Sequence, residues 1–131
     1  MRNLICVFMT TALLGISTHA LSNSFHCNVT SGVYKPVGTS GLEDASRRDS
    51  STIGTNFIVE RNSGAIRGNA LFRNSRNQNE IVRNEERVYE LLTRTRHADI
   101  SLLKIEEFDR QWTFKYYVAS IGLLLVGECR P

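Results

Sequence analysis

Cysteine is the residue type whose chemistry most constrains this chain. The 131-residue sequence holds three cysteines, and Cys6 falls in an apolar N-terminal run, so Cys27 and Cys129 remain near the two ends of the rest. The alternatives to a disulfide are two free thiols or a metal pair, but two cysteines without clustered histidines make a poor zinc site. An oxidising compartment favours one disulfide, closing a loop of roughly 100 residues worth at most about 4–5 kcal/mol. We therefore predict that Cys27 and Cys129 are bonded.

Arginine dominates the middle of the chain. Eight arginines stand against four glutamates between residues 61 and 96. Guanidinium groups make planar, bidentate contacts with carboxylates and phosphates, so this segment could bind an anionic envelope polymer or an acidic protein partner. Alternatively, the arginines pair with the neighbouring glutamates, each pair contributing less than about 1 kcal/mol. The candidate anion or partner contacts are Arg67, Arg73, Arg76, Arg83 and Arg87.

Catalytic and metal-binding arrangements are not expected. His26 and His97 are the histidines that follow the N-terminal run, and we expect both to be solvated surface side chains rather than ligands or an acid–base pair. Glu106 and Glu107 could supply two carboxyl groups, but adjacent residues of a strand point to opposite faces. The sequence also has no nucleophile elbow and no phosphate-cradling glycine loop. We therefore expect no enzyme, no metal and no cofactor.

The N-terminal segment has the layout of a secretory signal. Arg2 precedes an apolar run over 4–16, and small residues follow up to Ala20. The run is shorter than the roughly 20 residues that a membrane-spanning helix needs. We expect a signal peptide over 1–20, cleaved after Ala20, and a mature chain without a membrane span. The compartment would then be the periplasm or the exterior of the cell.

Composition indicates one packed domain after the signal, over 21–131. The chain is 41% hydrophobic and 22% charged, which is typical of a globule rather than of a disordered tail. Its net charge of +3 is too small to indicate a nucleic-acid partner. The polar segment 36–51 has the composition of a mobile loop.

Alternating apolar and polar residues predict strands over most of the domain. Residues 56–61 and 65–72 indicate a β-hairpin whose turn needs Gly64 at positive φ. Over 80–96 a helix and a pair of short strands both fit the apolar spacing, and we favour strands because β-forming residues alternate over 88–93. Further strands are predicted at 25–35 (interrupted around Ser31 and Gly32), 100–108, 112–118 and 122–129.

The last two of these strands carry most of the expected core. The run 121–126 has low charge and high β propensity, which would make it an aggregation hazard at a sheet edge and therefore favours a buried central strand. The aromatic residues before it are expected to pack in the core and across strands rather than form a ligand platform. They are Trp112, Phe114, Tyr116 and Tyr117.

These elements predict the all-β class. We expect a small antiparallel meander of about seven to eight strands, either closed as a barrel or folded as a sandwich. Pairing of the first strand with the last would bring Cys27 and Cys129 together.

The order of features resembles a group of small secreted proteobacterial proteins of uncharacterised function. The matching pieces are 57–61, Ser63 with Gly64 and Gly68, 89–92, 103–108 and the ending 127–129. That resemblance implies an exported, β-rich protein. The chain is more faintly similar to periplasmic C-type lysozyme inhibitors, which insert a short loop with Ser and Gly into the enzyme's cleft. Ser63 and Gly64 would be the corresponding inhibitory loop.

We therefore expect an exported, disulfide-stabilised binding or inhibitory module. Its loops at 36–51 and 73–79 are candidates for ligand contact, since loops on a rigid sheet commonly carry function. Two other classes stay open: an envelope structural or stress protein without a discrete ligand, and a small hydrolase.

Overall fold

The computed structural model describes residues 22–68, 78–94 and 99–131. The predicted signal peptide at 1–20 lies outside these residues. These described residues form nine strands and two 3-10 helices, Ala45–Arg47 and Ala119–Ile121. The strands are Ser24–Tyr34 (β1), Glu43–Asp44 (β2), Asn56–Glu60 (β3), Ile66–Gly68 (β4), Gln78–Asn84 (β5), Val88–Arg94 (β6), Ile100–Phe108 (β7), Gln111–Val118 (β8) and Leu123–Arg130 (β9).

All strands belong to one antiparallel sheet in the order β4-β3-β1-β9-β8-β7-β6-β5, and the short β2 pairs with β1. The sheet curls into a half-barrel. Strands β5 to β9 form a meander, and β1 lies beside β9 in the middle of the sheet. The predicted all-β antiparallel class is confirmed, as is the choice of two strands over a helix for 80–96.

The period-two alternation places one set of side chains inside the curl. Residues of β6 and β9 alternate between buried and partly exposed along each strand. Burial of large apolar side chains removes them from water and supplies the main favourable free energy of folding. The largest fully buried side chains are Tyr89, Phe25, Phe57, Phe114, Leu91, Leu103, Ile105, Leu125, Val29 and Val59.

The disulfide joins the first strand to the last. Cys27 and Cys129 are direct cross-strand partners in β1 and β9, and they are bonded as predicted. Two residues along β9, a Cβ on Gly127 would lie 2.0 Å from the carbonyl oxygen of Asn28 and 2.6 Å from the ring of Phe114. Glycine is therefore required there for the two strands to approach each other.

A β-bulge divides β1 into two halves. Val29 pairs with Gly127 and Ser31 pairs with Val126, so β1 holds one more residue, Thr30, than β9 across this step. The extra residue reverses which face the following side chains occupy. The bulge lies next to the predicted interruption around Ser31 and Gly32.

The structure adds detail to two of the sequence predictions. The segment 36–51 was expected to be a loop throughout, yet it contains β2 and a 3-10 helix whose Ala45 is buried. The aromatic residues, expected in core and cross-strand packing, divide between the two: Phe114 and Tyr116 are buried, whereas Tyr117 is 46% exposed in a cross-strand row with Leu102 and Leu124. Adjacent strand residues face opposite sides, so Tyr116 and Tyr117 cannot both point inward.

Candidate functional site

The structure separates the candidate arginines. Arg67 lies on β4 and pairs with Glu60 of β3, whereas Arg83 lies at the far edge of the sheet on β5, 3.5 Å from Glu85. Arg87, in the turn after β5, lies 3.4 Å from Glu107. Each described candidate thus has a glutamate partner, in line with the ion-pairing alternative. Arg73 and Arg76 lie outside the described residues.

Arg67 alone of the described candidates lines a concavity on the outer face of the sheet. This polar groove has a volume of about 580 Å³ and is built by β1, β3, β4 and β9. Its side chains are mostly charged or hydrogen-bonding. The lining residues are His26, Cys27, Asn28, Asn56, Phe57, Ile58, Arg67, Gly68, Glu128 and Arg130.

Strand register explains why these residues meet. Arg67 pairs with Ile58, Ile58 with His26 and His26 with Arg130, which makes one transverse row over four neighbouring strands. Strands lie about 4.8 Å apart, so the Cα atoms of the two arginines in this row are roughly 14 Å from each other. A second outward row follows, in which Asn56 pairs with Asn28 and Asn28 with Glu128.

The two asparagines hold each other in position. The Asn28 Nδ2 group donates to Asn56 Oδ1 at 2.9 Å and to the carbonyl oxygen of Gly54 at 3.1 Å. These bonds commit the amide nitrogen of Asn28 and the amide oxygen of Asn56. The remaining amide atoms are Asn28 Oδ1, which is an acceptor, and Asn56 Nδ2, which carries two N–H donors.

Charge in the groove is mixed. Arg67 and Arg130 are cations, and Glu128 is an anion opposite Asn28. Glu60 accepts from Arg67 at the margin, while His26 lies between the arginines with its Nε2 atom 3.5 Å from Ser24 Oγ. The arrangement suits a polar ligand whose acidic group contacts a guanidinium and whose remaining atoms exchange hydrogen bonds with the amides.

The floor of the groove is rigid. Cys27 and Phe57 are register partners between the two outward rows, and Cys27 is bonded to Cys129. The disulfide fixes β1 against β9 directly beneath the groove. A ligand would meet a largely pre-formed surface, which lowers the ordering cost of binding.

Ser63 and Gly64 occupy the turn between β3 and β4. Ser63 is exposed, its hydroxyl donating to Glu60 Oε2 at 3.0 Å. Gly64 is buried at φ 70°, as the turn prediction required, and its carbonyl oxygen accepts from Asn79 Nδ2 at 3.0 Å. The turn is thus held against β5, and an inhibitory role for it stays a prediction.

The two carboxyl groups weighed as an acid–base pair have separate partners. Glu106 lies 2.7 Å from Lys104 and 3.4 Å from Lys115, and the hydrogen bond from Lys104 is the main cause that lowers the pKa of its carboxyl. Glu107 pairs with Arg87 instead.

Over residues 22–68, 78–94 and 99–131, no group of three or more His, Cys, Asp or Glu side chains could hold a metal ion. No helix in the same residues is long and apolar enough to cross a membrane.

The same outer face carries a second surface of opposite character. Register places Val33, Leu124, Tyr117, Leu102 and Leu92 in one row across β1, β9, β8, β7 and β6. Leu102 and Tyr117 are 40% and 46% exposed. We call this row the apolar stripe. It lies at the end of the sheet where β1 finishes, whereas the polar groove lies towards the end where β1 begins.

Sequence reasoning missed most of the groove. It named Arg67 as a contact, but no motif of a binding site includes Asn28, Asn56, Glu128 or Arg130, and these residues come from distant parts of the chain. Only the register of β1 between β3 and β9 brings them together.

Comparison of the chain with protein-family models, curated proteins and solved structures found no match.

Proposed function

We propose that this protein is an exported binding or inhibitory module that holds a polar, acid-bearing ligand in the polar groove. The observation that carries the proposal is the concavity of about 580 Å³ with Arg67 and Arg130 at its two sides. Sites for small ligands commonly have volumes of about 300–1,000 Å³. A carboxylated or phosphorylated segment of an envelope polymer, or an acidic segment of a protein, has the required chemistry.

Export is part of the proposal. The Cys27–Cys129 disulfide supports an oxidising compartment, because disulfides seldom persist in a reducing cytosol. The N-terminal sequence has the three-part layout of a secretory signal. Together they favour the periplasm or the cell exterior as the place where the groove meets its ligand.

The test is direct binding of the purified, oxidised protein to two polyanions of different chemistry. Polyphosphate and polygalacturonate present phosphate and carboxylate groups, and affinity for either should fall steeply as salt rises. Arg67→Gln or Arg130→Gln should weaken binding about 5- to 10-fold, the loss expected for one charge-assisted contact.

Arg83→Gln is the matched control. Arg83 is also an exposed arginine with a glutamate partner, but it lies on β5 outside the groove. It should change affinity less than twofold, as expected for a surface site without contact. Equal losses for all three variants would indicate diffuse attraction and contradict the groove as the site. Turnover on a panel of hydrolase substrates would contradict a pure binding role.

A further inference from the structure

A second polar cluster lies on the inner side of the sheet and takes no part in the polar groove. Arg61 follows β3 and is only 2% exposed. Its backbone N–H donates to the carbonyl oxygen of Asn23, which places it at the end of the half-barrel where β1 begins. Its guanidinium carbon lies 4.8 Å from the centre of the Phe25 ring.

Neutral acceptors hold one side of this guanidinium. Its Nε and Nη2 groups donate to Asn84 Oδ1 at 3.1 and 2.9 Å, and Nη2 also donates to the carbonyl oxygen of Glu85 at 2.8 Å. These contacts tie the turn after β3 to the end of β5. None of the ion pairs among the described residues includes Arg61. A guanidinium withdrawn from water without a counter-charge is costly to the fold.

Two buried donors on side chains that both lie against the Phe25 ring lack acceptors. Arg61 Nη1 and Tyr89 Oη are both buried, and neither has a hydrogen-bond partner within the described part of the chain. Tyr89 and Arg61 both lie against Phe25, whose ring centre is 5.6 Å from that of Tyr89. Buried donors without partners are rare in folded proteins and usually mark a bound water, an ion or a functional group.

Tyr89 does not supply the missing negative charge. Burial raises the pKa of its phenol to about 12, although the nearby Arg61 acts in the opposite direction. At neutral pH the phenol is therefore uncharged and offers an O–H donor. A cation with a free NH₂ group beside a free phenol O–H is the donor set that a small anion accepts from.

We propose that Arg61 Nη1 and Tyr89 Oη bind a small monovalent anion, of formate or chloride size, inside this end of the half-barrel. The anion would neutralise the buried guanidinium and satisfy both donors. It would also stabilise the contact between the turn after β3 and the end of β5, which bridges the two edges of the sheet. This site is separate from the polar groove, because Arg61 and Tyr89 lie on the opposite side of the sheet.

The experiment is thermal unfolding of the purified, oxidised protein in formate, acetate or chloride. Ionic strength is held constant with sulfate, which itself raises Tm by exclusion from protein surfaces, so the effect of each anion is taken as the difference between the natural protein and Tyr89→Phe in the same salts. An anion that binds only the folded state raises Tm in proportion to the logarithm of its concentration. Trp112, the only tryptophan, gives a second readout because its ring lies 5.3 Å from Phe25.

Tyr89→Phe removes one donor and keeps the ring, so the variant should fold while its apparent anion affinity falls about fivefold. Tyr34→Phe is the control, since the Tyr34 hydroxyl donates to Glu43 at the other end of β1 and should leave the anion response unchanged. The proposal is overturned if Tm depends on ionic strength alone, or if Tyr89→Phe responds to formate and chloride as the natural protein does. Arg67→Gln and Arg130→Gln should keep the Tm response to formate and chloride even if they lose polyanion binding. The two proposals can therefore fail separately.

Discussion

The polar groove and the apolar stripe share two strands, β1 and β9, yet they differ completely in chemistry. In the groove half, β1 presents His26 and Asn28 outward, and β9 presents Glu128 and Arg130. In the stripe half the same strands present Val33 and Leu124. On β1 the outward pattern changes at the Thr30 bulge, which reverses the facing of the residues that follow it. On β9 the alternation is unbroken, and the sequence alone changes from Leu124 to Glu128 and Arg130 on the outer face.

The groove half is the more constrained of the two. It has the disulfide beneath it, the close approach at Gly127 and the mutual hydrogen bond of Asn28 and Asn56. The stripe half has exposed aliphatic and aromatic side chains instead. Contiguous exposed apolar surface on a monomer commonly marks an interaction site.

Insertion of one alanine after Ser31 should have the largest effect. It turns Val33 inward and Gly32 outward, so the last part of β1 loses its fit to β9. We expect the free energy of unfolding to fall by more than about 4 kcal/mol, measured by urea denaturation. Insertion of one alanine after Ser40, in the exposed segment before β2, should cost less than about 1 kcal/mol. Equal effects would show that the core does not specify the register of β1 after the bulge.

Removing the disulfide should weaken the groove half more than the stripe half. Replacing both Cys27 and Cys129 by alanine frees a long loop and should lower the free energy of unfolding by about 4 kcal/mol. Amide hydrogen exchange should then accelerate more at Asn28 and Glu128 than at Leu124. Uniform acceleration along β9 would contradict the proposed difference in constraint.

High pH should destabilise the fold through Tyr89, which lies inside the end of the half-barrel where β1 begins. Burial raises the pKa of Tyr89 to about 12 from an ordinary value of 10.0, so the folded state holds this proton more tightly than the unfolded state. The protonated Tyr89 phenol therefore contributes to stability below pH 10. This contribution, about 3 kcal/mol in the free energy of unfolding, is lost as pH rises through 12. Burial raises the pKa of Tyr116 as well, so Tyr89→Phe should remove only part of the alkaline loss. The prediction is contradicted if Tyr89→Phe loses as much stability at high pH as the natural protein does.

The smallest effect is expected on the stripe. Leu102 and Leu103 are neighbours on opposite faces of β7, the first exposed and the second buried. Leu102→Ala should change the free energy of unfolding by less than about 0.5 kcal/mol, whereas Leu103→Ala should cost about 2–5 kcal/mol. Leu102→Ala should also reduce binding of a hydrophobic dye. A large loss of stability in Leu102→Ala would show that the stripe is covered in the folded protein.

Local pattern was enough to predict much of this fold. β-forming residues over 88–93 outweighed the helical spacing of 80–96, and the structure has strands there. The Gly64 turn and the pairing of Cys27 with Cys129 also followed from residue type and position. The pattern did not say which aromatic residues face the core, although adjacent strand residues such as Tyr116 and Tyr117 must face opposite sides. The structure buries Tyr116 and leaves Tyr117 on the outer face.

The groove could not be predicted in the same way. Its side chains come from residues 26–28, 56–58, 67–68 and 128–130, and no spacing along the chain connects these four pieces. Arg61 likewise looked like any other arginine of the basic middle, and only its position at the closing end of the sheet buries it.

The sequence by itself determined the β-strands, the turn glycine and the covalent link between the ends, because each depends on residues close in sequence or on a residue type with one dominant chemistry. Tertiary structure alone decided which outward side chains share a row, where the bulge reverses β1 and which arginine is buried. Those outcomes depend on register between strands as distant as β1 and β9. Register follows from the packing of the whole core, because a slip of one residue would exchange the inner and outer faces of a strand.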